Sequence, residues 1–131
     1  MSLRTVLAAV AGAVTLFVLG YLIYVVLLGD FFAAHGASVL GEPVFWAIFA
    51  GELAMASLVT FIFDQWASIS TLAGGFKGGA IVGALVALNF GLIQFGAMGA
   101  GDLTAVVADA VVSLVRVGIA GAVIGLMLGR K

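Results

Sequence analysis

Four long apolar runs separated by short polar stretches organise this chain. They fall near residues 5–29, 43–64, 71–98 and 104–129. Each can cross a hydrocarbon core of about 30 Å, which takes roughly 20 helical residues. The runs are continuous and rich in Ala, Leu and Gly. They lack the alternation over about ten residues that marks a spanning strand. With no water at that depth, each segment must satisfy its own backbone groups, and a helix does so. Short connections make neighbouring helices antiparallel. The expectation is all-α: an integral membrane four-transmembrane-helix antiparallel bundle, forming one domain over residues 1–131.

Polar punctuation agrees with this spacing. Arg4 and Asp30 bracket the first run, and Trp46 and Trp66 the second. The tryptophans stand 20 positions apart, about 30 Å at the helical rise, which is the separation of the two aromatic belts of a bilayer. Pro43 suits a first helical turn, where its missing N–H costs nothing. Ser68 or Ser70 is placed to cap the third helix. Lys77 would snorkel from its first turns to the headgroups, and Asp64 and Gln65 would anchor the second helix at its interface. The run Val6–Leu28 exceeds the 7–15 residues of a signal h-region, so a retained span is expected. Arg4, Lys77, Arg130 and Lys131 fall on one side of this topology. Asp30, His35, Glu42 and Asp102 fall on the other, which has no Lys or Arg. The positive-inside rule therefore places both termini in the cytoplasm, N-in and C-in, and disfavours insertion in both orientations.

Composition fits lipid as the solvent. The 131 residues are 65% hydrophobic and 8% charged, against about 25% charged in soluble domains. Five dispersed Lys and Arg with a net charge of −1 exclude a nucleic-acid partner, which needs clustered cations. With no cysteine, disulfides, thiolate metal sites and Cys nucleophiles are excluded within the chain. A single histidine excludes bis-His haem ligation by one chain.

Small residues supply a packing code. Gly75, Gly79, Gly83, Ala87 and Gly91 recur every four positions in the third helix, and Gly121, Gly125 and Gly129 in the fourth. Ala8, Gly12 and Gly20 share a stripe in the first. Such stripes let membrane helices approach backbone to backbone. They serve packing within the chain or, if one faces outward, a dimer.

Charges inside a span are costly, roughly 2.5–3.5 kcal/mol each on insertion scales, and face the protein interior. Three lie deep: Glu52, Asp109 and Arg116. Measured from the outer helix ends, Glu52 and Asn89 lie about 13 Å in and Arg116 about 18 Å, while Tyr24, Gln94 and Asp109 lie about 6–8 Å in. One reading is an ion pair of Glu52 with Arg116, buttressed by Asn89. The other is a protonatable or ligand-binding carboxylate. Burial disfavours a charged carboxylate and a nearby Arg favours it, so a carboxylate that exchanges a proton could couple transport. One Arg cannot fully pair two acids, and Asp109 is the better proton-site candidate. Asp109, Ser113 and Arg116 share one face of the fourth helix.

Asp30, His35 and Glu42 form a weak metal-ligand set in one outer loop, where solvated side chains are the simpler reading. No metal or cofactor is expected. No G-x-S-x-G, H-E-x-x-H or phosphate loop occurs, so no enzyme is expected. The GGFKGG at 74–79 is helix packing.

The stretches FVLGYLIYVVLLGDFF at 17–32 and WASISTLAGGFKGGAIVGALVALNFG at 66–91 resemble small bacterial four-helix membrane proteins of a domain-of-unknown-function family. The resemblance covers most of the chain. It implies a four-helix bundle in a bacterial inner membrane and carries over no functional residue. Small multidrug exporters place their essential glutamate in the first helix, whereas Glu52 is in the second. The ALNFG at 87–91 is similar to an asparagine motif of dual-topology fluoride channels, but the other motifs of that family are missing. Neither family is assigned. Three functions stay open. One is a structural or accessory protein acting by helix–helix contact with itself or a larger complex. Another is a homo-oligomeric transporter or channel using Glu52, Asp109 and Arg116. The last is an outer-loop metal-binding protein.

Overall fold

The computed structural model describes residues 3–27, 29–34, 45–98 and 102–129. These are helical apart from short turns. Helix α1 (Leu3–Gly20) continues as a π-helical segment, Tyr21–Leu27, and is followed by the short α2 (Gly29–Ala34). Helix α3 (Phe45–Phe61) likewise widens into a π-helical segment, Ile62–Ala67; α4 (Leu72–Met98) and α5 (Leu103–Leu128) complete the fold. Four helices are long and apolar enough to cross a membrane: Leu3–Ile23, Phe45–Ala67, Leu72–Ala97 and Leu103–Leu128. Their ends lie within a few residues of the apolar runs, with one exception. The first run ends in a separate short helix that carries Asp30 in its first turn.

Local chemistry sets the ends. After Ala67 the chain turns at Ser68, whose φ of 52° is left-handed, and Ile69 N donates to Phe63 O at 3.0 Å. The Ser68 N–H donates to the same Phe63 O, so a residue in the left-handed region ends the helix, as is common at helix C-termini. The cap of α4 is Thr71, not Ser68 or Ser70: Gly74 N donates to Thr71 Oγ1 at 3.0 Å. Ser68 is committed to ending the previous helix, so the cap falls to the hydroxyl directly before Leu72. Asp102 caps α5 by accepting from Ala105 N at 2.8 Å. Sequence reading gave Asp102 no such role, although an acid just before an apolar run is a cap signal.

Small residues decide which helices meet. A Cβ at Gly75 would run into Gly121 O, one at Gly79 into Val117 O, and one at Gly125 into Thr71 O. A Cβ at Gly83 would lie 2.5 Å from Ser113 O. At Gly91 it would lie 3.1 Å from Val106 Cγ1. The glycines of α4 and α5 thus face each other, antiparallel, and both stripes are used inside the chain. The stripe of α1 faces α3 and α5: a Cβ at Gly12 would meet Ile124 Cδ1 at 2.6 Å and Ala56 Cβ at 3.3 Å. Helix α1 packs on both α3 and α5, and α5 on both α1 and α4. The lateral order is therefore α3, α1, α5, α4.

The core is fully buried Ala8, Ala13, Leu16, Ala56, Val59, Phe63, Val117, Ala120 and Ile124. It joins α1, α3 and α5 in the half that holds Arg4 and Lys77, here termed the basic end. Thr5 Oγ1 donates to Asp64 Oδ2 at 3.5 Å, and Gln65 Nε2 donates to the same oxygen at 2.9 Å. Asp64 thus ties α1 to the end of the α3 span. At this end Phe63 also lies against Gly78, bringing α3 to α4. Trp46 and Trp66, near opposite ends of the Phe45–Ala67 span, are 77% and 73% exposed.

Candidate functional site

Two of the charged residues of the spans, Asp109 and Arg116, lie on α5. Asp109, Ser113 and Arg116 occupy one face, because positions four and seven apart return to the same side of a helix. Arg116 is the residue that crosses to other helices. Its Nη1 donates to Glu52 Oε2 at 2.6 Å and to Leu16 O at 3.3 Å. One guanidinium therefore joins α5 to α3 and to α1. The two side chains of the ion pair are only 13% and 18% exposed. Charge-assisted bonds of this length are the stronger kind, and at low exposure water screens them little.

The helix ladder of α1 changes near this contact. Leu16 lies within the turn preceding the π-helical segment that begins at Tyr21. A side chain bonding into a helix's carbonyl row is a recognised cause of such distortion. The guanidinium passes close to Gly20: a Cβ there would lie 3.5 Å from Arg116 Nη1, an ordinary contact.

Beyond the pair, toward Asp102, α4 stands apart from α3 and leaves a cleft of about 220 Å³. Met55 of α3 forms one wall, Val86 and Phe90 of α4 another, and Asp109, Ser113 and Arg116 line the α5 side. The absence of a side chain at Gly83 widens its floor. A carboxylate, a hydroxyl and a guanidinium thus share one opening along the spans. Such a set can hold a small polar group, relay a proton, or receive a polar side chain from another helix.

Other candidate residues lie elsewhere. Asn89 is exposed and does not buttress the Glu52–Arg116 pair. The reason is rotational: Gly83, Ala87 and Gly91 turn toward α5, and Asn89, two positions from Ala87, lies about 200° around the helix. Gln94, one turn further along α4, is half-buried. Tyr24 lies in the first π-helical segment, and its side chain is outside the described residues. Of the loop set, Asp30 is exposed on α2, while His35 and Glu42 are outside the described residues. Among the described residues no three His, Asp or Glu side chains converge for a metal.

No family model, curated protein or solved structure matches this chain.

Proposed function

We propose that this chain is a structural or accessory protein of a bacterial inner membrane that works through helix–helix contact, with the charged cleft beside α4 as its contact surface. One observation carries the reading. Asp109, Ser113 and Arg116 line a lateral opening in helices apolar enough to span a bilayer. Charged walls at that depth are costly against lipid, and a second helix bearing a polar group would cover them. The glycine stripes are an unsuitable contact surface, since they already face each other inside the chain. Exposed Arg4 and Lys77 at one end, and Asp30 and Asp102 at the other, support cytoplasmic termini.

The test replaces Phe90 with a photo-cross-linking residue and irradiates native membranes. A protein adduct at Phe90, absent from the same residue placed at exposed Val10 of α1, is the expected result. Adducts to lipid alone at both positions would sink the reading. Convergence of an acid, a hydroxyl and a guanidinium on one cleft favours transport as the second reading. There, Asp109→Asn abolishes flux while the protein still folds.

A further inference from the structure

We infer that the occupant of the cleft is a second copy of this chain, which inserts Asn89 to hydrogen-bond Asp109. The inference rests on the contact reading above and names the partner.

The observations are of polarity and depth. Asn89 is exposed in the middle of the 27-residue α4, and its side-chain amide makes no hydrogen bond with any described residue. Its neighbours on that side are apolar: Leu85 is 62% exposed, Phe90 61% and Ile93 58%. An amide ringed by apolar side chains at membrane depth is satisfied by bonding across to another helix. The cleft offers the complementary group. Asp109 is an acceptor with several lone-pair sites, so it can take an amide N–H in addition to its contacts within its own chain.

Register makes the pairing possible. In the α4–α5 contact Gly83 lies beside Ser113 and Gly91 beside Val106. Interpolation puts Asn89 within about one helical turn of Asp109 in depth. Copies inserted in the same orientation are related by an axis along the membrane normal, which keeps each residue at its own depth. A two-fold interface is reciprocal. Asn89 of each copy then donates to Asp109 of the other, and Phe90 packs over the opposite cleft. Closure by two equal bonds makes a dimer and no longer array.

The chain contains no cysteine, so Ile93→Cys introduces a single thiol on the Asn89 face. Purified protein in phosphatidylethanolamine–phosphatidylglycerol vesicles is expected to be dimeric by single-molecule photobleaching, and Ile93→Cys is expected to form an intermolecular disulfide. Asn89→Leu removes both bonds and weakens the dimer roughly tenfold, about 1.4 kcal/mol. Asn89→Asp alone sets carboxylates against each other and leaves monomers. Asn89→Asp combined with Asp109→Asn exchanges donor and acceptor and restores the dimer, which a general packing defect would not do. A monomeric wild type at every lipid dilution overturns the inference. So does a dimer indifferent to Asn89→Leu, or one without the Ile93→Cys disulfide. The contact reading fails separately: a Phe90 cross-link to a different protein ends the second-copy inference alone, and no protein cross-link ends both.

Discussion

Removing Glu52 or Arg116 singly leaves the other charge at membrane depth without its counter-ion. Breaking a buried pair this way costs about 3–5 kcal/mol, and residual exposure of 13% and 18% places this pair at the lower end. Glu52→Gln is therefore expected to lower the unfolding free energy in detergent by about 3 kcal/mol. The double variant Glu52→Met with Arg116→Met should recover most of it, since replacing both partners with apolar residues is often neutral. A double variant as unstable as the single would show that the Leu16 carbonyl, not the ion pair, is the important partner of Arg116. The charged positions could be read from the sequence because Arg116 is the one Arg far from a span's end and helical rise gives depth directly. Asn89 could not be placed in the same way. Depth follows from counting along the helix, whereas the direction a side chain faces depends on which neighbour the helix chooses.

At the level of helices, the glycines divide into two groups that respond oppositely to substitution. Gly79→Leu drives a side chain into the backbone of Val117, which cannot yield, so α4 and α5 must separate. Loss of folded protein in detergent extraction is expected. Among the described residues, a Cβ built at Gly51 or Gly96 would have nothing within 4 Å outside its own helix's backbone and chain neighbours. There, Gly→Ala should be neutral or stabilising by up to about 1 kcal/mol, the difference in helix propensity. A large loss at Gly96→Ala would mean that this face is covered. Gly12→Ala lies between, because the obstacle is the mobile end of Ile124. The stripes were plain in the sequence, but not whether they faced each other or a second molecule. The π-helical segments left no sequence signal, since an i→i+5 ladder uses the same apolar residues as an i→i+4 one. Thr60 Oγ1 donates to Ala56 O at 2.7 Å just before the second of them. Such back-bonding bends helices, and it marks where α3 loosens.

The molecule as a whole is a row of helices whose two middle members, α1 and α5, hold the outer two. Membrane-impermeant labelling of single cysteines at Lys77 and Asp30 should report opposite faces of the bilayer, with Lys77 on the cytoplasmic side. Labelling of both from one side would refute the topology. Helix number and length were legible because each of the four apolar runs is continuous and long enough to cross a bilayer as a helix. The lateral order was not, since short connections give antiparallel neighbours without saying which non-sequential helices touch. That order also bears on how the protein is made. Chains are synthesised and fold from the N-terminus, so α5 is made after α1, α3 and α4. Until it is, Glu52 has no guanidinium to meet, and the glycine face of α4 has no surface to close on. A ribosome that stops before Leu103 therefore releases three spans lacking the helix that joins α1 to α4. Such a product carries Glu52 without the guanidinium that neutralises it, a mark that separates a chain made without α5 from one that has it.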